Sequence, residues 1–163
     1  VQNIVGAIAV ANKMGIPLAE LVMPVKRLEC VPHRLQIIDR GATTIIDDAF
    51  NSNPSGAKAA LDTLKVFDGV KVLVTPGMIE LGEKEFELNK RFGMQAADAA
   101  DYCVLVGEKQ AVPIKEGLLE KGYPEDKISV VKSLNDGLAV VDSIKTEGRK
   151  KIVLLENDLP DNY

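Results

Sequence analysis

The sequence predicts an α/β fold, a Rossmann-like and mostly parallel sheet of about six strands with helices on both faces. Three observations carry that prediction. From Thr43 onward, short β-branched runs alternate with stretches of helical spacing. The runs VKVLVT and KIVLL are almost wholly apolar, the pattern of strands covered on both faces. Gly, Pro and Asn mark the joints between the runs.

The elements follow in order. Ile4, Val5, Ile8, Ala9 and Ala11 recur at helical spacing between Gln2 and Lys13, and Gly15 ends that helix. IPLAELVMPV predicts a short second helix stopped by Pro24. Leu35–Asp39 and Thr43–Asp47 read as strands around the turn RGA, a hairpin that adds an antiparallel edge. Strand Thr43–Asp47 then leads to helix Pro54–Val66, and strand Lys71–Thr75 to helix Glu83–Ala100. Strand Tyr102–Val106 leads to a helix from Val112 to Lys121, and strand Lys127–Val131 to helix Leu134–Lys145. A last strand, Lys151–Leu155, precedes the acidic tail ENDLPDNY. The 163 residues suit one compact domain, residues 32–163, with an N-terminal helical segment, residues 1–31, from a preceding domain.

Composition narrows the function classes. The formal net charge is -4 and no basic stripe is visible, which argues against a nucleic-acid partner. The densest basic run, GRKK, reads as a solvated turn. Cys30 and Cys103 form no CxxC pair, and both read as small buried or half-buried hydrophobes, in keeping with a reducing cytoplasm. No stretch approaches the roughly 18 apolar residues of a membrane span. The opening VQNIVGAIAVANKMG has no basic leader and no cleavage site, and it starts in mid-pattern without Met, as expected of a fragment of a longer protein.

Parallel sheets bind ligands beyond the carboxyl ends of their strands, so the strand-to-helix loops are the places to look. In DDAFNSNP, Asn53 followed by Pro54 is a helix start, Asn as N-cap and Pro at the first helical position. Asp47 and Asp48 cannot face the same way in a strand. One of them points into the cleft, where it can accept ribose hydroxyls, join a Mg²⁺ site or anchor the loop. In TPGMIELGE, Pro76-Gly77 makes a turn, Gly82 a second bend, and Glu83 complements a helix N-terminus. Glu80 orients that loop through backbone N–H groups or meets a ligand. His33, the single histidine, reads as packing at a domain junction, and Arg34 as a phosphate partner or a salt bridge. The chain has no GxxxxGK[ST] or GxGxxG loop, no GxSxG elbow and no zinc spacing.

Together these segments resemble the Mur ligases, ATP-dependent amide-forming enzymes of peptidoglycan precursor synthesis. VQNIVGAIAVANKMGI is similar to the family's helix that follows a His-Asn pair, with Asn3 at the later asparagine. PHRLQII resembles the start of the C-terminal domain, and IIDDAFNSNPSGAKAALDTL the D-[DS]-x-[YFK]-[NA]-x-N-[PV]-x-[GS] segment. TPGMIELGE resembles the G-x-M-x-E-L-G motif of the dipeptide-adding branch. The resemblance implies a three-domain enzyme whose central domain grips ATP and carries most of the Mg²⁺ ligands. Its C-terminal Rossmann-like domain closes over the nucleotide and helps to bind the incoming amino acid or dipeptide. A carboxylate on a UDP-linked muramyl peptide becomes an acyl phosphate, which the amine attacks. By the same resemblance Asn3 would contact adenine, Arg34 would reach the nucleotide near its phosphates, and Asp48 would bind the ribose hydroxyls. Asn51 and Asn53 would shape the loop, and Phe50, in the family's Tyr or Lys position, would stack or pack. No catalytic residue and no metal ligand is assigned to this chain, which alone is expected to be inactive.

The last strand departs from the pattern: it ends LLENDLPDNY instead of the Lys-Gly-Ser of the dipeptide-adding enzymes, which suggests a paralogue with another amine substrate. Two other readings stand beside the ligase. One is a non-catalytic nucleotide-binding or assembly module on the same scaffold. The other is a receiver-like signalling domain, which needs an acidic acceptor where this chain reads VTPG.

Overall fold

A computed structural model describes residues 2–29, 31–50 and 52–157. The chain divides between Val31 and Pro32 into two compact units. The first unit holds helices α1 (Gln2–Lys13) and α2 (Leu18–Lys26). Pro24 lies inside α2 and does not stop it. Proline removes only its own bond to the carbonyl one turn back. The helix is closing there anyway, and the Arg27 N–H bonds back to the Met23 and Pro24 carbonyls.

The second unit holds six strands: β1 (Gln36–Asp39), β2 (Thr43–Asp48), β3 (Val70–Thr75), β4 (Tyr102–Val106), β5 (Ile128–Val131) and β6 (Lys151–Glu156). Their order across the sheet is β1-β2-β6-β3-β4-β5. The β1–β2 pair is antiparallel and every other pair is parallel. The expected α/β sheet with an antiparallel edge is therefore present.

Four helices connect the strands: α3 (Pro54–Val66), α4 (Glu85–Ala97), α5 (Ala111–Glu120) and α6 (Leu134–Ser143). The connections through α3, α4 and α5 all step the same way, from β2 to β3 to β4 to β5. Right-handed crossovers then put these three helices on one face. The return from β5 to β6 runs the other way, so α6 lies on the opposite face. The core shows this division. Ile46, Leu73, Leu105 and Leu154 pack with Leu61, Phe92 and Ile114 of α3, α4 and α5. Val72, Val74, Val104 and Val153 pack with Val141 of α6. Residues alternate between these faces along each strand, as a pleated strand requires.

α4 and α5 cross at very short range. A Cβ on Gly93 would stand 2.1 Å from the Ile114 carbonyl oxygen, and one on Gly117 would stand 2.0 Å from that of Lys90.

Several boundaries differ from the sequence reading. Leu35 sits at φ 49 and stands outside β1. The helix expected from Glu83 opens as a 3-10 turn, Gly82–Lys84, and its α-helical part ends at Ala97. α6 ends at Ser143 and not at Lys145. β6 runs one residue further, to Glu156. The GRKK turn is not simply solvated, because Lys150 Nζ lies 2.9 Å from Asp39 Oδ1 across the sheet edge and Lys151 Nζ donates to the Val141 carbonyl at the end of α6. Cys103 is buried, as expected, and burial pushes its thiol up to about 12. Cys30 lies outside the described residues.

Candidate functional site

The carboxyl ends of β2, β6 and β3 adjoin at the middle of the sheet, beside the place where the chain reverses its direction of travel. Parallel sheets open their ligand crevice at such a point. The two loops singled out from the sequence leave β2 and β3 there.

β2 ends in its two aspartates, and pleating sends them to opposite faces. Asp47 Oδ2 lies 2.9 Å from His33 Nδ1, and Asp47 Oδ1 accepts the Ala49 N–H at 3.1 Å. His33 is therefore tied to this strand end by its ring and does not merely pack at a junction. Asp48 Oδ1 accepts the Leu35 N–H at 2.9 Å. Its Oδ2 has no hydrogen-bond partner among the described residues. Asp48 itself is half-buried. Burial holds the Asp48 carboxyl above its ordinary value, with the Leu35 N–H and the Arg34 charge pulling the other way.

Arg34 places its guanidinium carbon 4.2 Å from the centre of the Phe50 ring. Phe50 is half exposed. A flat cation on an aromatic face is an attractive stack, worth about 0.5–1 kcal/mol in an exposed setting. Asn53 caps α3: its Oδ1 accepts the N–H groups of Ser55 at 3.1 Å and Gly56 at 3.0 Å. This satisfies donors that a helix start otherwise leaves open.

The structure thus gathers Arg34, Asp48 and Asn53 around one loop. Asn3 belongs to α1 in the first unit and is exposed there. Asn51 lies outside the described residues.

Three further residues complete the crevice, and the sequence reading passed over them as tail or helix. Glu156 ends β6 fully buried, accepting from the Ser52 hydroxyl and, at 3.3 Å, from Thr75 Oγ1. Burial and the charge of Asp48 push its carboxyl up to about 7. Asn157 follows at φ 69. Its Oδ1 accepts the Ser52 N–H at 3.0 Å, its Nδ2 donates to the Gly77 carbonyl, and its own N–H donates to the Asp48 carbonyl at 3.2 Å.

The third is Asn89, fully buried on α4. Its Oδ1 accepts the Met78 N–H at 2.8 Å, and its Nδ2 donates to the carbonyls of Met78 at 2.8 Å and Glu85 at 2.9 Å. Asn89 therefore holds the TPGMIELG loop, one of the two roles expected of Glu80. Glu80 is exposed at φ 62, and its carboxylate accepts no backbone N–H among the described residues. One signal for Asn89 was available. It stands three and seven residues before Phe92 and Ala96, on the stripe that a helix turns to its core.

Beside the first turn of α3 lies a groove of about 150 Å³ whose wall includes Ser55, Lys58, Met78, Arg91 and Phe92. It combines an apolar floor with two cationic side chains. In the crevice itself the Asp48 carboxylate stands within reach of the Arg34 charge, with Asp47 on the opposite face and Glu156 fully buried. Such a carboxylate suits hydroxyl donors better than a chain of phosphates, which calls for cations and N–H groups. Among the described residues no group of three or more His, Cys, Asp or Glu is placed to hold a metal ion.

Comparison with known proteins gives a consistent family. The family model described as "Mur ligase, glutamate ligase domain" matches residues 33–155. The UDP-N-acetylmuramoyl-tripeptide--D-alanyl-D-alanine ligase of Bacillus subtilis is 31% identical over 153 residues, 91% of this chain and 33% of that protein. The Haemophilus influenzae ligase of the same name is 28% identical over 157 residues, 95% of this chain and 33% of its own length. Among solved structures, a crystal structure of MurF from Acinetobacter baumannii superposes with a TM-score of 0.80 at 26% identity, covering 96% of this chain and 34% of that one. MurF ligase from Thermotoga maritima in complex with ADP shares the fold, with a TM-score of 0.73 at 22% identity over 95% of this chain and 34% of that one. The chain spans about a third of the length of the relatives it matches.

Proposed function

The chain belongs to the Mur ligase family through its C-terminal domain, and we propose that it supplies the closing half of the ATP site in an amide-forming ligase of peptidoglycan precursor synthesis. One observation carries this reading. Asp48 stands at the carboxyl end of an interior strand, with one oxygen fixed by the Leu35 N–H and the other without a hydrogen bond among the described residues. A carboxylate held in this way is built to accept the two hydroxyls of a ribose.

Arg34 sits beside it for the nucleotide near its phosphates, and Phe50 offers an aromatic surface. Asn53 shapes the loop by capping α3, and Asn51 belongs to the same loop. Asn3 would meet adenine from residues 1–31, the end of the central domain. The phosphates and Mg²⁺ then fall to residues outside this chain. This chain alone is then inactive. The groove beside Ser55 suits the incoming amino acid or dipeptide, with Arg91 for its carboxylate. In the full-length protein a carboxylate of a UDP-linked muramyl peptide is activated as an acyl phosphate, the amine attacks it, and phosphate leaves. Use of ATP and the unpaired thiol of Cys103 both suit the cytoplasm. No helix among the described residues is long and apolar enough to cross a membrane.

The experiment is Asp48→Ala in the full-length polypeptide, with ATP as the varied substrate. The substitution also removes the acceptor of the Leu35 N–H, which costs about 1 kcal/mol of stability, whereas the KM for ATP is expected to rise by about tenfold or more, beyond what that small loss of stability accounts for. An unchanged KM for ATP would remove Asp48 from the nucleotide site.

A further inference from the structure

Asn157 touches three separate pieces of chain at the crevice. It donates its N–H to the end of β2 at Asp48, accepts the Ser52 N–H in the β2–α3 loop, and donates to the Gly77 carbonyl in the β3–α4 loop. Glu156, one residue earlier, spans the same two loops through the Ser52 hydroxyl and Thr75. Thr75 in turn accepts the Gly77 N–H at 3.0 Å. These groups are buried or half-buried, where a lost partner costs more than on the surface.

Neither residue is free to touch a nucleotide. Glu156 is fully buried, and both polar ends of the Asn157 side chain are occupied by the protein. What they fix is the position of Ser52, in the stretch between Asp48 and Asn53. We propose that Asn157 and Glu156 are positioning residues, a clasp at the end of β6 that sets the β2–α3 loop against the β3–α4 loop in the geometry that receives the nucleotide. This rests on the nucleotide reading of Asp48 given above. The left-handed backbone of Asn157 belongs to the device, because that conformation turns the residue back under both loops. Asparagine tolerates it far better than most side chains do.

The test uses the full-length polypeptide with ADP and ATP as probes. Asn157→Gly keeps the left-handed backbone at no steric cost and deletes only the side-chain ties. The Kd for ADP is expected to rise by about tenfold, the worth of one or two hydrogen bonds of loop order. The KM for ATP should rise more than kcat falls. Amide exchange at Ser52 should quicken while Leu73 and Leu154, inside the sheet, stay protected. Ser52→Ala, which deletes one hydroxyl, should shift the Kd in the same direction by less, and it decides the matter if Asn157→Gly does not fold. An unchanged Kd for ADP in the folded variant would overturn the positioning role and leave the nucleotide reading standing. Failure of the parent polypeptide to bind ADP would overturn the nucleotide reading, and the positioning role with it.

Discussion

Asp48 and Glu156 stand side by side in register on the parallel strands β2 and β6, and pleating sends both side chains to the same face. Burial is the largest cause holding each carboxyl above its ordinary value. Arg34 and the Leu35 N–H offset part of this at Asp48, whereas at Glu156 the charge of Asp48 adds to it. A buried carboxyl beside a half-buried one does not ionise together with it without cost.

The pH dependence of stability follows from Glu156. Its carboxyl is pushed from 4.5 to about 7, so the fold favours the protonated form. That contribution is present in full below the unfolded value of 4.5 and is lost as pH rises through about 7. The size is on the order of 3 kcal/mol, since each tenfold gain in proton affinity is worth about 1.4 kcal/mol. Urea denaturation of the chain across that range should show stability falling toward alkaline pH. Glu156→Gln should flatten the profile and leave the variant the more stable protein above neutrality. A parent profile that is flat or rises across this range would refute the assignment.

The sheet was legible in the sequence because its signal is local. Continuous apolar runs mark strands covered on both faces, and Asn53-Pro54 marks a helix start that the structure keeps to the residue. The site was legible only where its residues lie in turn-rich loops. Asp48 stood out beside a polar loop, but Glu156 and Asn157 read as the beginning of an acidic tail. Their role depends on β6 lying between β2 and β3, an insertion set by the return crossover through α6. No pattern within ENDLPDNY encodes that. Pro24 misled for the opposite reason. The local rule that proline ends a helix is strong, but its cost shrinks where the last turn has already formed.

Asn89 should be costly to replace. Asn89→Leu keeps the size and removes the partners that the Met78 N–H and carbonyl have among the described residues. Leaving such groups buried and unpaired costs about 2–4 kcal/mol. A thermal melt should show the loss. Exchange at the Met78 amide should rise by more than at amides of β4, because the β3–α4 loop is released before the sheet.

The α4–α5 crossing makes a steric prediction. In Gly93→Ala the new methyl would fall 2.1 Å from the Ile114 carbonyl oxygen, and in Gly117→Ala 2.0 Å from that of Lys90. Both obstacles are backbone, so no side-chain rotation relieves them and the helices must separate. Alanine would otherwise favour a helix by about 1 kcal/mol over glycine, so a net loss of about 2–3 kcal/mol isolates the clash. The double variant should lose less than the sum, because one separation relieves both contacts. A gain in melting temperature for either single variant would show that the helices do not meet in this way.

The Arg34–Phe50 stack links the loop to nucleotide affinity. The ring holds the guanidinium 4.2 Å from its centre, close enough to Asp48 for the charge to act on that carboxyl. Phe50→Leu keeps apolar bulk and removes the π face, so Arg34 loses its platform and samples more rotamers. In the full-length polypeptide the Kd for ADP should rise by about 2–5-fold, the worth of an exposed cation–π contact. Arg34→Met removes the charge as well, so its loss should be larger and should shrink as salt is added, since screening already weakens the interaction it deletes. If Arg34 instead reaches the nucleotide only after leaving the ring, Phe50→Leu would tighten ADP binding. The sign of that one change in Kd therefore distinguishes a guanidinium held ready on the ring from one stored there.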